Sequence, residues 1–222
     1  LGLESILSET CFPVKVAYGH IRQLLNQGID TILIPSFINL NSEEETLERG
    51  FACPYTQTIP YSARIAFPDA RIITPVINLQ QGREFMLREL SKTFGQFGIK
   101  RDSFKKAVVA AEFAQYEFQK ALSEKGKEIL DAIGSTNPQS PTPNPSIVLI
   151  GRSYNSFDSG MNLEIPKKLA DLNITSLPMD FLPLGKTDIA EEWPNMYWRA
   201  GQRILKAARI IRENPSLYPV YI

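Results

Sequence analysis

The sequence predicts an α/β protein in two lobes, each built on a parallel sheet, with long helices between them. Three observations carry this. Short apolar runs alternate with amphipathic stretches of helical period, the βαβ rhythm of parallel sheets. Hydrophobic residues make up 43% of the chain, enough to bury a sizeable core. Residues 134–145 (GSTNPQSPTPNP) place four prolines among Ser, Thr and Asn, a composition that sustains neither helix nor sheet. The expected division is therefore a first lobe with a helical segment over 1–133, a linker or exposed loop over 134–145, and a second lobe over 146–222.

In the first lobe, Pro13 suits the first turn of a helix, where its missing N–H is no loss. Ala17, Ile21, Leu24 and Leu25 then recur as one apolar face, and Gly28 is a fitting residue just past the end. Ile29 to Ile34 (IDTILI) is an apolar run stopped by Pro35, the pattern of a strand covered on both faces. Residues 39–50 are polar and acidic, a solvated loop or short surface helix. Arg71 to Ile77 reads as a second strand with Pro75 near its end. Helices are expected over about 84–97 and from Asp102, as N-cap, to about Ile133. In the second of these, Phe104, Val108, Ala111, Phe118 and Leu122 form a stripe read as core.

In the second lobe, Ile147 to Ile150 is a buried strand, followed by a loop over Gly151 to Gly160. A helix over about 163–172, a strand over Ile174 to Leu177, a helix over about 196–213 and a buried strand at Tyr218 to Ile222 complete it. The opening Leu1 and the apolar close at Ile222 are expected of a piece of a longer protein whose other parts share the function.

Charge narrows the function. Lys plus Arg and Asp plus Glu number 24 each, and the basic residues are dispersed. A binder of nucleic-acid backbone needs clustered positive charge, so nucleic acid is not an expected partner. No apolar run reaches the roughly 20 residues that cross a bilayer, and no signal peptide opens the chain. Two cysteines in a chain of this length are not a disulfide framework, so a cytoplasmic setting is expected.

Those cysteines are the first candidates for chemistry. Cys11 stands two residues before Pro13, and Cys53 directly before Pro54, so each is expected at the mouth of a helix. There the unpaired N–H groups and the positive end of the macrodipole favour a thiolate, the form that ligates soft metals and iron–sulfur clusters. The competing reading is two small buried hydrophobes. His20, the single histidine, lies on the helix that follows Cys11. It is read either as a structural hydrogen-bonder or as a catalytic or cluster-facing donor. After a strand and before a helix, the Gly151 loop offers backbone amides to an anion, with Arg152, Asn155 and Asp158 as cleft residues. It lacks a dinucleotide fingerprint and a Walker lysine–hydroxyl pair, and a plain connecting loop is the equal alternative. The Pro178–Pro183 segment (PMDFLP) sets one carboxylate among apolar residues, and Trp193 to Arg199 adds an aromatic cluster of core or interface type.

SETCFPVKVAYGH (Ser8 to His20), ACPYTQ (Ala52 to Gln57), GRSYNSFDSGMNLEIPKKLADL (Gly151 to Leu172), PMDFLPL (Pro178 to Leu184) and MYWRAGQRILKAA (Met196 to Ala208) resemble, in order, the motifs of a family associated with activators of 2-hydroxyacyl-CoA dehydratases. That family is distantly similar to the iron–sulfur subunits of 2-hydroxyglutaryl-CoA dehydratase and benzoyl-CoA reductase. The resemblance implies two flavodoxin-like, Rossmann-like lobes and a cubane iron–sulfur cluster held by cysteines, with Cys11 and Cys53 matching cysteine positions of the family motifs. It implies as partner an ATP-hydrolysing activator module on the same polypeptide, passing a low-potential electron, and an acyl-CoA or other small-molecule substrate. It also implies a further cysteine beyond Ile222 and an early strand before Leu1, so that the cluster is expected to be lost from this stretch alone. The alternatives are a non-catalytic interaction or regulatory domain, and a two-lobed binder of small anions.

Overall fold

A computed structural model of the chain describes residues 1–6, 9–40, 47, 49–134 and 146–222. The expected linker, apart from Gly134, and most of the acidic segment after Leu40 lie outside the described residues. The architecture is α/β, with short parallel sheets and long helices. It falls into two compact units, one built mainly from residues up to Val108 and the other mainly from Val109 to Ile222.

The first unit runs α1 (Phe12–Asn26), β1 (Thr31–Leu33), β2 (Ser36–Asn39), α2 (Pro54–Ala66), β3 (Arg71–Ile73), β4 (Val76–Asn78) and α3 (Arg83–Gly95). Gly28, at φ 79°, lets the chain leave α1, and the amides of Gly28 and Ile29 close the last turn on Leu25 and Leu24. β1 pairs in parallel with β3, and β2 with β4. The register is continuous: Leu33 faces Ile73 and Ser36 faces Val76, which sets Pro35 opposite Pro75. Two facing residues without N–H groups divide one parallel pair into two short ladders. The bonds from Ile34 N to Ile73 O and from Ser36 N to Pro75 O, both 2.9 Å, bridge the gap. The expected strand over 71–77 is thus broken at Thr74–Pro75.

α1 and α2 pack together over β1 and β3. Val14, Tyr18, Ile21, Ile32, Ala63, Phe67 and Ile72 form the core, with the Tyr18 and Phe67 rings 5.5 Å apart. Leu24 and Leu25 are only partly buried against it. The expectation of a strand covered on both faces is corrected for 29–34. Ile32 is buried whereas Thr31 and Leu33 are exposed, because the helices cover one face of this two-stranded sheet.

α4 (Arg101–Gly134) begins one residue before Asp102, which lies in its first turn rather than at its cap. Its expected core stripe is corrected as well. Phe104 is buried, but Ala111 and Phe118 are exposed, as are Val109, Phe113 and Tyr116. The helix is apolar-packed at its two ends, through Phe104 stacked on Phe94 at the first and Ile129, Leu130 and Ile133 at the last. Gly126 rests its backbone against the carbonyl of Phe181 so closely that a Cβ would clash.

The second unit continues with β5 (Ser146–Ile150), α5 (Ser153–Phe157), α6 (Ile165–Asp171), β6 (Thr175–Pro178), α7 (Arg199–Arg212) and β7 (Leu217–Tyr221). Its strands are parallel in the order β6-β5-β7, the order at the centre of doubly wound sheets. Val148 and Leu149 of the central strand are fully buried. β7 is an edge strand here, so the expectation of a buried strand at 218–222 fails: Tyr218 and Tyr221 are exposed. Before α6, Leu163 and Glu164 both take left-handed backbone (φ 54° and 58°), which costs about 1–2 kcal/mol per residue for side chains of this kind.

Candidate functional site

Both cysteines sit where the prolines predict. Cys11 is the N-cap of α1, with extended backbone (φ −67°, ψ 152°) and Pro13 in the first turn. Its carbonyl accepts the amides of Val14 (3.1 Å) and Lys15 (3.4 Å). Cys53 is the N-cap of α2, with Pro54 as the first helical residue and its carbonyl accepting the Gln57 amide at 3.2 Å. Neither side chain makes a capping hydrogen bond. A serine or aspartate at either position would accept an amide of the first turn. Both thiols are reduced; Cys11 is exposed and Cys53 half-buried. The reading as two small buried hydrophobes therefore does not hold for Cys11.

The turn at Cys53 is held firmly. Ala52 N donates to Ile38 O (3.1 Å), Phe51 bridges Asn39, and Gln57 Nε2 donates to Ala52 O (3.0 Å). Ser36 Oγ donates to Gln57 O at 2.8 Å. These bonds run Phe51 and Ala52 antiparallel along β2 from Asn39 and set Cys53 beside the first half of that strand. The Cys11 turn is tied instead by an ion pair, Lys15 Nζ to Glu9 Oε1 at 2.5 Å. The Lys15 hydrogen bond, and then its charge, hold the Glu9 carboxyl below the usual glutamate range.

α1 leads into β1 and α2 into β3, parallel strands that both helices pack upon, so the helices run in the same sense and both thiols face one edge of the unit. Phe67, just past the end of α2, packs on Tyr18 in the middle of α1 and lies 4.9 Å beneath the Arg22 guanidinium. At a rise of about 1.5 Å per residue Cys53 stands ~21 Å along α2 from Phe67, and Cys11 ~10 Å along α1 from Tyr18 and ~16 Å from Arg22. His20 is exposed, ~13 Å along α1 from Cys11 by the same rise, and is not brought beside the thiol. Among the described residues no group of three or more His, Cys, Asp or Glu is placed to hold a metal ion.

The Gly151 loop forms in the second unit as a βα connection. Gly151 is buried, and a Cβ there would stand 2.6 Å from the carbonyl oxygen of Ile222. Asn155 Nδ2 donates to that carbonyl at 3.1 Å. Asp158 Oδ1 accepts the Met161 amide at 2.9 Å. Arg152 is the N-cap of α5, a helix of only five residues. Asn155 and Asp158 are thus engaged in holding the loop. The carboxylate singled out in the sequence, Asp180, is largely buried, and its Oδ1 accepts from Arg203 Nη2 (2.8 Å) and Ser153 Oγ (3.2 Å). Arg203 lies too far along the chain for the sequence to announce this pairing. Ser156 and Asn162, two buried residues with unpaired oxygens, were equally silent in the sequence.

Taken together, the structure defines an α/β protein with two free cysteines at the N-cap positions of adjacent helices of one unit. The CoA enzyme activase uncharacterised domain (DUF2229) matches residues 1–182, and the chain belongs to that family. No curated protein and no solved structure matches it. Among the described residues no helix is long and apolar enough to cross a membrane.

Proposed function

We propose that this chain is the thiolate-bearing module of a CoA-dehydratase activase-type system, in which Cys11 and Cys53 ligate an iron–sulfur centre beside an ATP-hydrolysing activator. The observation that carries the reading is the pair of caps. Two cysteines occupy the two helix mouths at one edge of the first unit, and neither spends its sulfur on capping. Each sulfur stands at the mouth of a helix, the positive end of its dipole, where an anionic ligand is tolerated. Two thiols fit part of a cluster's ligand set and leave the remainder to other residues. An iron–sulfur cluster would supply one-electron transfer at low potential, suited to the reductive dehydration or reduction of an acyl-CoA.

Anaerobic reconstitution of the intact protein with iron and sulfide tests this, read as iron content and visible absorption. The protein is expected to bind iron, and Cys11→Ser and Cys53→Ser each to lose at least half of it. Unchanged iron content in the double variant refutes the reading.

The unlike settings of the two thiols, Cys11 exposed and Cys53 half-buried, favour a second reading, a non-catalytic interaction or regulatory domain in which the thiols are not ligands. It predicts that the double variant keeps both partner binding and cellular activity.

A further inference from the structure

In the first unit, α3 and the first turns of α4 line a cavity of about 450 Å³. The lining residues of α3 are Glu84, Leu87, Arg88 and Ser91, and those of α4 are Arg101, Phe104 and Lys105. Both sets recur at spacings of three and four, so each is one face of its helix. Leu87 and Phe104 are buried and supply an apolar floor. The Phe104 ring is fixed there by stacking on Phe94, with centroids 5.8 Å apart. Arg88, Arg101 and Lys105 are exposed, so their charged ends are open to an occupant.

These cations are not matched from within the protein. Among the described residues the side chains of Arg101 and Lys105 have no hydrogen-bond or ion-pair partner, and Arg88 has only the Phe85 ring, 5.5 Å from its guanidinium. On α7, by contrast, Arg203 is paired with Asp180, and Arg209 with Glu192 and Glu213. Helix stability does not account for Arg101 either. It is the first residue of α4, where the positive end of the dipole disfavours a cation. Asp102 lies in the same turn but does not line the cavity. The one acid on the lining is Glu84, about 6 Å along α3 from Arg88. Three positive charges against one negative leave two positive charges for an occupant, above an apolar floor. We propose that this cavity binds a small phosphate monoester with a compact apolar body. Such a phosphate carries a charge of about −1.5 to −2 at neutral pH. Arg88 and Arg101 donate N–H groups to its oxygens, Lys105 adds a point charge, and the apolar body lies over Leu87 and Phe104. A monoanion would leave one cation unanswered. The volume lies within the range of small-molecule sites. The site uses neither Cys11 nor Cys53 and stands whether or not they bind iron.

Phenyl phosphate is a suitable probe, with phenyl sulfate as the monoanion of matching shape and inorganic phosphate as the headgroup alone. Heteronuclear NMR titration of the full chain is expected to show phenyl phosphate shifting the amide signals of Leu87, Ser91 and Phe104. Phenyl sulfate should bind about fivefold more weakly, the upper range for one solvent-screened charge contact. Inorganic phosphate, which has no apolar body to bury, should bind about tenfold more weakly. Arg101→Gln and Lys105→Gln should each weaken phenyl phosphate about fivefold without lowering the melting temperature, since neither side chain has a partner to lose among the described residues. Lys120→Gln, exposed on the same helix outside the cavity, should leave the affinity unchanged. The proposal is overturned if phenyl phosphate moves none of these signals up to its solubility limit, or if phenyl sulfate or inorganic phosphate binds equally well. Full affinity in the Arg101→Gln, Lys105→Gln double variant overturns it, as does a loss in Lys120→Gln equal to that in Arg101→Gln, the mark of diffuse attraction only.

Discussion

Replacing Cys11 and Cys53 by serine should make the protein more stable while removing its capacity for iron. Both residues are N-caps whose side chains make no capping bond. In α1 the second helical residue is Pro13, which has no N–H, and the Val14 amide already donates to the carbonyl of residue 11, so a serine Oγ there shares that donor and gains less. In α2 the amides of Tyr55 and Thr56 serve as donors to a serine at position 53. A serine cap adds about 0.5–1 kcal/mol over a side chain that does not cap. Cys11 is exposed and Cys53 only half-buried, so little apolar burial is lost to offset this. The two changes lie in one unit of roughly 100 residues and, with position 53 contributing most, should together add about 1 kcal/mol. At 4–8 °C per kcal/mol for domains of this size, the melting temperature should rise by about 4–8 °C. Differential scanning calorimetry of the metal-free single and double variants measures this. A fall in melting temperature would show that the thiols stabilise the fold as packed hydrophobes, and the argument from idle caps would collapse.

Three further outcomes are expected. Alkylation of the native protein by iodoacetamide, followed by mass spectrometry, should modify Cys11 at least several-fold faster than Cys53, in line with their exposure; equal rates would contradict the described turn. Gly126→Ala should destabilise the second unit by about 1–2 kcal/mol in urea unfolding. Overpacking against the Phe181 carbonyl outweighs the roughly 1 kcal/mol that alanine gains within a helix, whereas Gly95→Ala, with open space around it, should be neutral or stabilising. NMR titration should place the Glu9 pKa below that of a free glutamate, and Lys15→Met should restore it. Because the folded value is depressed, the Glu9–Lys15 pair adds stability above the unfolded carboxylate's pKa and loses it as pH falls through the folded one.

The helix mouths were legible in the sequence because proline acts locally: Pro13 and Pro54 fix the first turns, and Gly28 the exit of α1. The βαβ rhythm of the second unit was legible for the same reason, since period and length are local properties. Burial was read less well because it depends on neighbours. The stripe along α4 has helical period, but period alone does not state whether anything lies opposite Phe118. Likewise Leu33 and Tyr221 are apolar residues in strands whose outer faces or edges are left uncovered. At the site, residue type and spacing nominated Cys11 and Cys53. The pairing of Asp180 with Arg203 and the orphaned oxygens of Ser156 and Asn162 arise only when distant segments meet.

The facing prolines of the first unit have a consequence for colloidal behaviour. Each of its two sheets has only two strands, and while Phe51 and Ala52 bond to the far side of β2, β1, β3 and β4 each keep an edge outside the ladders among the described residues, the usual template for chain-to-chain addition and fibril growth. With Pro35 opposite Pro75, no strand in these ladders exceeds four residues. An incoming chain would meet a missing amide donor on either side before it could zip further. The same interruption that shortens the ladders thereby keeps an otherwise open-edged unit from seeding its own aggregation.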